Sequence, residues 1–376
     1  VGVGVMKSLL VGNGINIQFG GYENTNEAII IRGIKALEKD NFPKHIILEN
    51  TEDLVRLIGY LFMEFKYMMN DNYNKFTLSS EERLCLDDMR KRYKNRKNLI
   101  LSDIGFEDYY LIYDLFCHKN NIVNPEKFYI REAIKAFFIH SIFNDDKVNE
   151  IYKKYPEKLK EFFEPFSNIF TTNYDENLGK FTGKSIFYLH GAFHIMDYKY
   201  SKVSFRNMLP NKATDDFNID NNYYYLYSNV LTTYSGYSKS FSINQNYQAN
   251  EAIKKMSDGY KNNPTIKDDI DSWKFTDNEI LRNMYESIVL KAENDDLKFE
   301  EQYPINDFKN ICGELEIVGL SPNNDTHIFE AINNNSNLEK VTYYYYDKME
   351  CEVVKELLDR RTLEFLSVKN LWKEYK

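Results

Sequence analysis

The run Leu9-Leu10-Val11-Gly12-Asn13-Gly14-Ile15-Asn16 constrains this chain more than any other stretch. A short apolar segment breaks into two glycines one residue apart, and more polar and apolar residues follow in helical order. Glycine permits positive φ and lets the backbone come close to a ligand or to another backbone. A strand that feeds such a loop into a helix opens a βαβ unit, so the fold class is α/β with a mainly parallel sheet. The loop itself has two readings. It is a phosphate-binding turn at a helix N-terminus, or a structural turn. The third glycine of G-x-G-x-x-G is missing, because Ile17 stands there, and the loop alone does not decide.

The pattern returns further along. Asn26 to Lys39 reads as a helix and His45 to Leu48 as a second strand. Residues 51–165 are helical in period almost throughout; Leu54, Ile58, Leu61 and Phe65 form one apolar stripe. That block is too long for one crossover and reads as a large helical insertion. Strand signals resume at Asn168 to Asp175 and at Ser185 to Phe193. An irregular region with helical pieces follows. Glu314 to Ile332 reads as strand–turn–helix and Lys340 to Asp347 as a strand, before a terminal helix. The expected organisation is therefore a Rossmann-like core in three parts, 6–50, 166–196 and 311–376, interrupted by insertions at 51–165 and 197–310.

Composition excludes several classes. The 376 residues are 43% hydrophobic with a net charge of −9, so no general basic surface favours nucleic acid. Cys85, Cys117, Cys312 and Cys351 are scattered singly, which argues against a zinc ribbon or a disulfide framework and fits a reducing cytoplasm. No apolar stretch reaches membrane-spanning length. The residues before Met6 read as an expression remnant, and the apolar run after Lys7 is too short for a signal peptide. The insertion carries more helix than one sheet face needs, and its stripe predicts a homo-oligomeric contact.

Ligands of open α/β sheets bind beyond the carboxyl ends of the strands. The informative groups are therefore Gly12-Asn13-Gly14-Ile15-Asn16, Thr171-Thr172-Asn173-Tyr174-Asp175, His190-Gly191, and Gly319-Leu320-Ser321 with Asp325. In this order GNGIN, TTNYD, LHG and GLSPNND resemble the Sir2-type NAD-binding fold. The bacterial antiphage branch, with Sir2-like NADases and AbiH-like abortive-infection relatives, is closer than the deacetylating sirtuins. Sirtuins carry G-A-G-x-S, T-Q-N-x-D, H-G and G-T-S at the corresponding places, and a zinc ribbon between the last two. Here 197–311 holds no cysteine and Thr172 replaces the sirtuin glutamine. The resemblance thus implies hydrolysis of NAD to nicotinamide and ADP-ribose, with NAD as substrate and no metal, rather than deacylation. It also implies gated activity, by assembly or by a partner such as a HerA-type DNA-translocase ATPase, since an unrestrained NADase would kill its host.

On that reading Asn173 holds the ribose or the attacking water, and His190 accepts a proton from either. Asp175 orients the loop or faces positive charge on the sugar. Gly12, Gly14 and Ser321 offer donors to the diphosphate, and Gly319 belongs to the same cofactor-binding set. Asn13, Thr172, Asn16 and Asp325 complete the cofactor-binding set. Plainer readings stand beside these. Asn173 and Asp175 could cap a helix beginning near Glu176; His190 could be a core histidine; His118 could cap a helix C-terminus, and His140 could simply pack. His190 and His194 are four apart, but their segment reads as strand and turn, which argues against a metal. Tyr343 to Tyr346 reads as edge-strand packing rather than a stacking platform. Asn221 to Tyr227 lines the pocket or a subunit contact. Rival functions are a module that senses NAD or a nucleotide without cleaving it, and a Rossmann dehydrogenase. The latter expects an acidic residue about 20 positions past the loop, whereas Glu49 lies 35 positions beyond Gly14.

Overall fold

The computed structural model describes residues 5–39, 41–43, 51–123, 126–196, 220–231, 237–297, 303–358 and 362–376. The expected strand at His45 to Leu48, together with Glu49 and most of the first part of the second insertion, lies outside them.

β1 (Lys7–Val11) sits inside a six-stranded parallel sheet of order β3-β2-β1-β4-β5-β6. Its partners are β2 (Asn168–Thr171) and β4 (Gly313–Val318), with β3 (Ile186–Tyr188) beyond one and β5 (Leu338–Tyr345) and β6 (Leu363–Ser367) beyond the other. Leu10 pairs with Phe170 on one side and Ile317 on the other. This is the Rossmann-like order, in which the chain reverses direction of growth at β1. Side chains alternate across the sheet. Leu9 and Val11 join the core shared with the helical insertion, while Leu10 joins a second core with Ile317, Ile328 and Phe329.

Between β1 and β2 run α1 (Gly14–Gly20), α2 (Asn26–Glu38), α3 (Thr51–Met68), α4 (Ser80–Tyr93), α5 (Asp108–Asn120), α6 (Glu126–Phe143) and α7 (Leu159–Phe163). Thr25 and Ser79 cap α2 and α4 by accepting from Ala28 N–H and Glu82 N–H. α5 is apolar or buried on nearly every side, the mark of a central helix. The stripe Leu54, Ile58, Leu61 and Phe65 is therefore spent inside the chain, at 3% exposure or less, against α5 and its neighbours. It carries no argument for a second subunit. On the other side of α3, Tyr60, Met63 and Tyr67 are exposed.

α8 (Asn177–Thr182) follows β2. The second insertion contributes α9 (Tyr237–Asn262), α10 (Pro264–Ser272) and α11 (Glu279–Glu293), which share a small core around Ile253, Ile270 and Ile288. α12 (Ile305–Lys309), α13 (Thr326–Asn334), α14 (Lys348–Leu357) and α15 (Val368–Glu374) complete the chain. Among the described residues no helix is long and apolar enough to cross a membrane.

Two expectations change. β5 is not an edge strand, because Leu363–Ser367 adds β6 outside it. Tyr343 is accordingly buried and donates to Leu320 C=O at 2.6 Å, while Tyr344 donates to Glu316 at 2.9 Å. β3 also ends earlier than the apolar run suggests. Gly191 turns at φ +84°, and a Cβ there would meet the Asn229 side chain at 2.5 Å. Elsewhere His140 packs on Tyr225, with Nδ1 2.7 Å from its hydroxyl. His118 stands in the last turn of α5, and its Nδ1 lies 3.1 Å from the C=O of Phe76, the last residue of a short 3-10 helix; Asn121 closes α5 itself.

Candidate active site

The loops after β1, β2, β3 and β4 converge where the strand order reverses, the place at which open α/β sheets take ligands. A cavity of about 170 Å³ opens there, room for far more than one water. Of the residues singled out from the sequence, Asn13, Asn16, Thr172, Asn173, Asp175, His190 and Asp325 line it. Gly12, Gly14, Gly319 and Ser321 do not.

The glycines serve a different purpose. Gly12 N–H donates to Val318 C=O at 2.9 Å and Gly14 N–H to Gly319 C=O at 2.8 Å. A Cβ on Gly12 would sit 2.5 Å from the Gly319 carbonyl oxygen, and one on Gly14 2.6 Å from Gly319 Cα. Gly319 itself turns at φ +69°. These residues let two strand-end loops lie backbone against backbone. Their N–H groups are already engaged, so Gly12 and Gly14 are not free to hold a diphosphate. Ser321 is exposed, and its Oγ accepts from Asn323 N–H at 3.4 Å.

Asp175 is held in a cage of asparagines. Asn16 Nδ2 donates to one carboxylate oxygen and Asn177 Nδ2 to the other, each at 2.6 Å, and Asn177 N–H adds a third bond at 3.0 Å. Burial raises its carboxyl pKa, and the asparagine bonds oppose that rise. The bond to Asn177 N–H is of capping type, so the helix-cap reading holds in part for Asp175. It fails for Asn173, whose Nδ2 donates instead to Gly12 C=O at 3.2 Å. Asn173 is 6% exposed, and its Oδ1 has no hydrogen-bond partner among the described residues. A buried carbonyl left so is costly unless something else completes it.

His190 faces Asp325, which the sequence singled out, together with His327 and Glu107, which it did not. Its Nε2 lies 3.1 Å from Nε2 of His327 and 3.6 Å from Asp325 Oδ1, and its Nδ1 lies 4.0 Å from Glu107. Glu107 is fixed by Lys239, at 2.5 Å, from the second insertion. Beneath it Arg92 grips Asp108 with two bonds of 2.8 and 2.6 Å. Burial, the Lys239 charge and His327 push His190 well below the usual imidazole range, so it is neutral. A proton on Nδ1 faces the Glu107 carboxylate and leaves Nε2 as the acceptor. The opposite tautomer would set a lone pair against that carboxylate, which is unfavourable.

Asp325 behaves in the other direction. Burial, then the Glu107 charge, raises its carboxyl from 3.8 to about 7. Because the folded state keeps a proton that the unfolded chain gives up near 3.9, stability falls as pH rises between those values. Asp325→Asn removes the buried charge without changing shape. Its melting midpoint should therefore match wild type near pH 4 and exceed it by several degrees near pH 8, as read by calorimetry in metal-free buffer. A gap that stays constant with pH would show that Asp325 is an ordinary carboxylate.

No family model, curated protein or solved structure matches the chain. The site must therefore be read from its own chemistry. Glu107, Asp175 and Asp325 present carboxyl groups to the cavity, and among its described lining residues there is no lysine or arginine. Asn13, Asn24, Asn26 and Asn324 supply neutral donors and acceptors around them. Such a cavity suits a ligand with cationic character at its reacting end and many hydroxyl groups. Glu107 and Lys239 carried no sequence signal, since each arrives from an insertion. His327 did carry one: it stands two residues after Asp325, on the first turn of α13.

Proposed function

We propose that this protein is a Sir2-like hydrolase that cleaves NAD into nicotinamide and ADP-ribose, an activity suited to antiphage abortive infection. The observation that carries the reading is the pairing, in one cavity at the β1/β4 reversal, of the unpartnered Asn173 Oδ1 with the neutral His190. Supporting it, each of the four strand-end motifs that resemble Sir2-type proteins contributes at least one residue to the cavity lining.

The nicotinamide ring is a cationic leaving group, so the C1′–N bond breaks with its electron pair passing to the ring nitrogen. Positive charge then develops on the ribose as an oxocarbenium-like species. Asp325 and Glu107 line the cavity, and their carboxyl groups stabilise that charge. Asn173 Oδ1 accepts from the ribose hydroxyls or the attacking water. The water oxygen bonds to C1′, and its proton passes to His190 Nε2. The imidazolium so formed is stabilised by Glu107 at Nδ1. Asparagine amides of the cavity lining take the diphosphate, because the glycine N–H groups are already bonded within the chain.

That engagement of Gly12 and Gly14 also disfavours a Rossmann dehydrogenase, which needs those amides for the pyrophosphate. Incubation with NAD, followed by chromatography, should yield equal amounts of nicotinamide and ADP-ribose. A change in nicotinamide absorbance would indicate redox chemistry instead, and saturable binding without product would reduce the protein to a sensor. Because free NADase activity is lethal to its host, the gate is assigned to assembly or to a partner, so the assay is run with and without neighbouring gene products.

A further inference from the structure

We propose that His190, Asp325 and His327 form a binding site for a divalent transition-metal ion of the zinc class, and that this ion competes with catalysis for His190 Nε2. The three donor atoms lie within 4.8 Å of one another, although they come from two separate strand-end loops. Two ligands at zinc bonding distance from one tetrahedral ion are about 3.3 Å apart. The observed separations, 3.1 Å between the two Nε2 atoms and 3.6 Å from His190 to Asp325, fall on either side of that value. Two imidazoles and one carboxylate, with an open fourth position, are a donor set that zinc takes readily.

The surroundings fit as well. A metal-bound histidine normally turns its other ring nitrogen to a carboxylate, which fixes the tautomer. Glu107 stands 4.0 Å from His190 Nδ1, held in place by Lys239. His190 and Asp325 both line the cavity, which gives an ion a way in. Lys239 and Arg92 are each paired with a carboxylate, so their charges are already compensated. Both histidines are neutral and so ready to coordinate.

The competition rests on the NAD-cleaving reading; the site does not. An ion on His190 Nε2 takes the lone pair that would accept the proton, so binding silences the enzyme rather than powering it. The test uses full-length protein stripped with chelator and shown to be folded by circular dichroism. Zn²⁺ should bind at about one ion per chain, and Co²⁺ should give a visible absorption band. Both signals should vanish in His327→Gln and persist in His194→Gln, which alters an exposed histidine outside the cluster. Zinc should lower nicotinamide release by wild type, and chelator should restore it. Absence of saturable binding to the folded chain, or binding that survives His327→Gln, overturns the site. A rate that rises with zinc overturns the competition. If NAD is not cleaved at all, stoichiometry and the cobalt band still decide the site independently.

Discussion

Asn173→Ala should abolish NAD cleavage while leaving the fold intact. The side chain is buried, and its Oδ1 has no partner among the described residues, so removing that oxygen breaks no bond among them. Among the described residues the side-chain bond lost is the donation from Nδ2 to Gly12 C=O. A typical hydrogen bond contributes about 0.5–1.5 kcal/mol, which a chain of this size tolerates. The effect on turnover is of another order. A group that positions water or ribose for attack is worth on the order of 10²-fold or more in rate. Asn173→Asp is the sharper companion: it keeps the acceptor but adds a buried negative charge beside Asp175. Nicotinamide release should fall at least a hundredfold in the alanine variant, with the melting midpoint little changed. Turnover near wild type in a folded Asn173→Ala protein would return Asn173 to a structural role.

His190→Ala should be nearly as damaging, and its pH behaviour separates the histidine from its neighbour. Read from sequence, cleavage should fall as pH drops through the ordinary imidazole value near 6.5. The fold changes that expectation. Burial and the Lys239 charge hold His190 neutral well below that pH, so its own protonation does not limit the rate. Asp325, raised to about 7, titrates in the working range instead. Its ionised form, 3.6 Å from Nε2, stabilises the imidazolium that forms when His190 takes the proton. Cleavage should therefore rise with pH through about 7 in metal-free wild type, and Asp325→Asn should flatten that limb at a lower rate. His190→Ala should lose turnover at every pH while calorimetry still detects NAD. If His190→Ala cleaves as fast as wild type, the proton goes elsewhere and the assignment fails.

Much of the frame was legible from local pattern alone. A buried strand announces itself as a short apolar run, and helices announce themselves by period. This is why β1, β2, β4, β5 and the helical block appear where the residues suggested. β6 was not legible, because Leu363–Ser367 is a half-buried strand without clear alternation. The interior place of β5 followed from that omission. The stripe on α3 was read correctly as apolar, but periodicity says only that a face is covered, not by what. α5 covers it.

The site divides in the same way. Residues at strand ends were legible because the connection from strand to ligand is local, and seven of those singled out reach one cavity. The roles of Gly12 and Gly14 were not, since only the distance to Gly319, some 300 residues away, shows which partner their missing side chains admit. Nor could the sequence place Glu107 and Lys239 beside His190, or set His327 against it. Those are contacts between segments brought together by the sheet and its insertions. Ionisation depends on them, because burial and neighbouring charge act through space rather than along the chain. The sequence by itself determined which side chains stand at the strand ends. Tertiary structure alone decided which of them are neutral, which lack a partner, and which donor atoms lie close enough to share a proton or an ion.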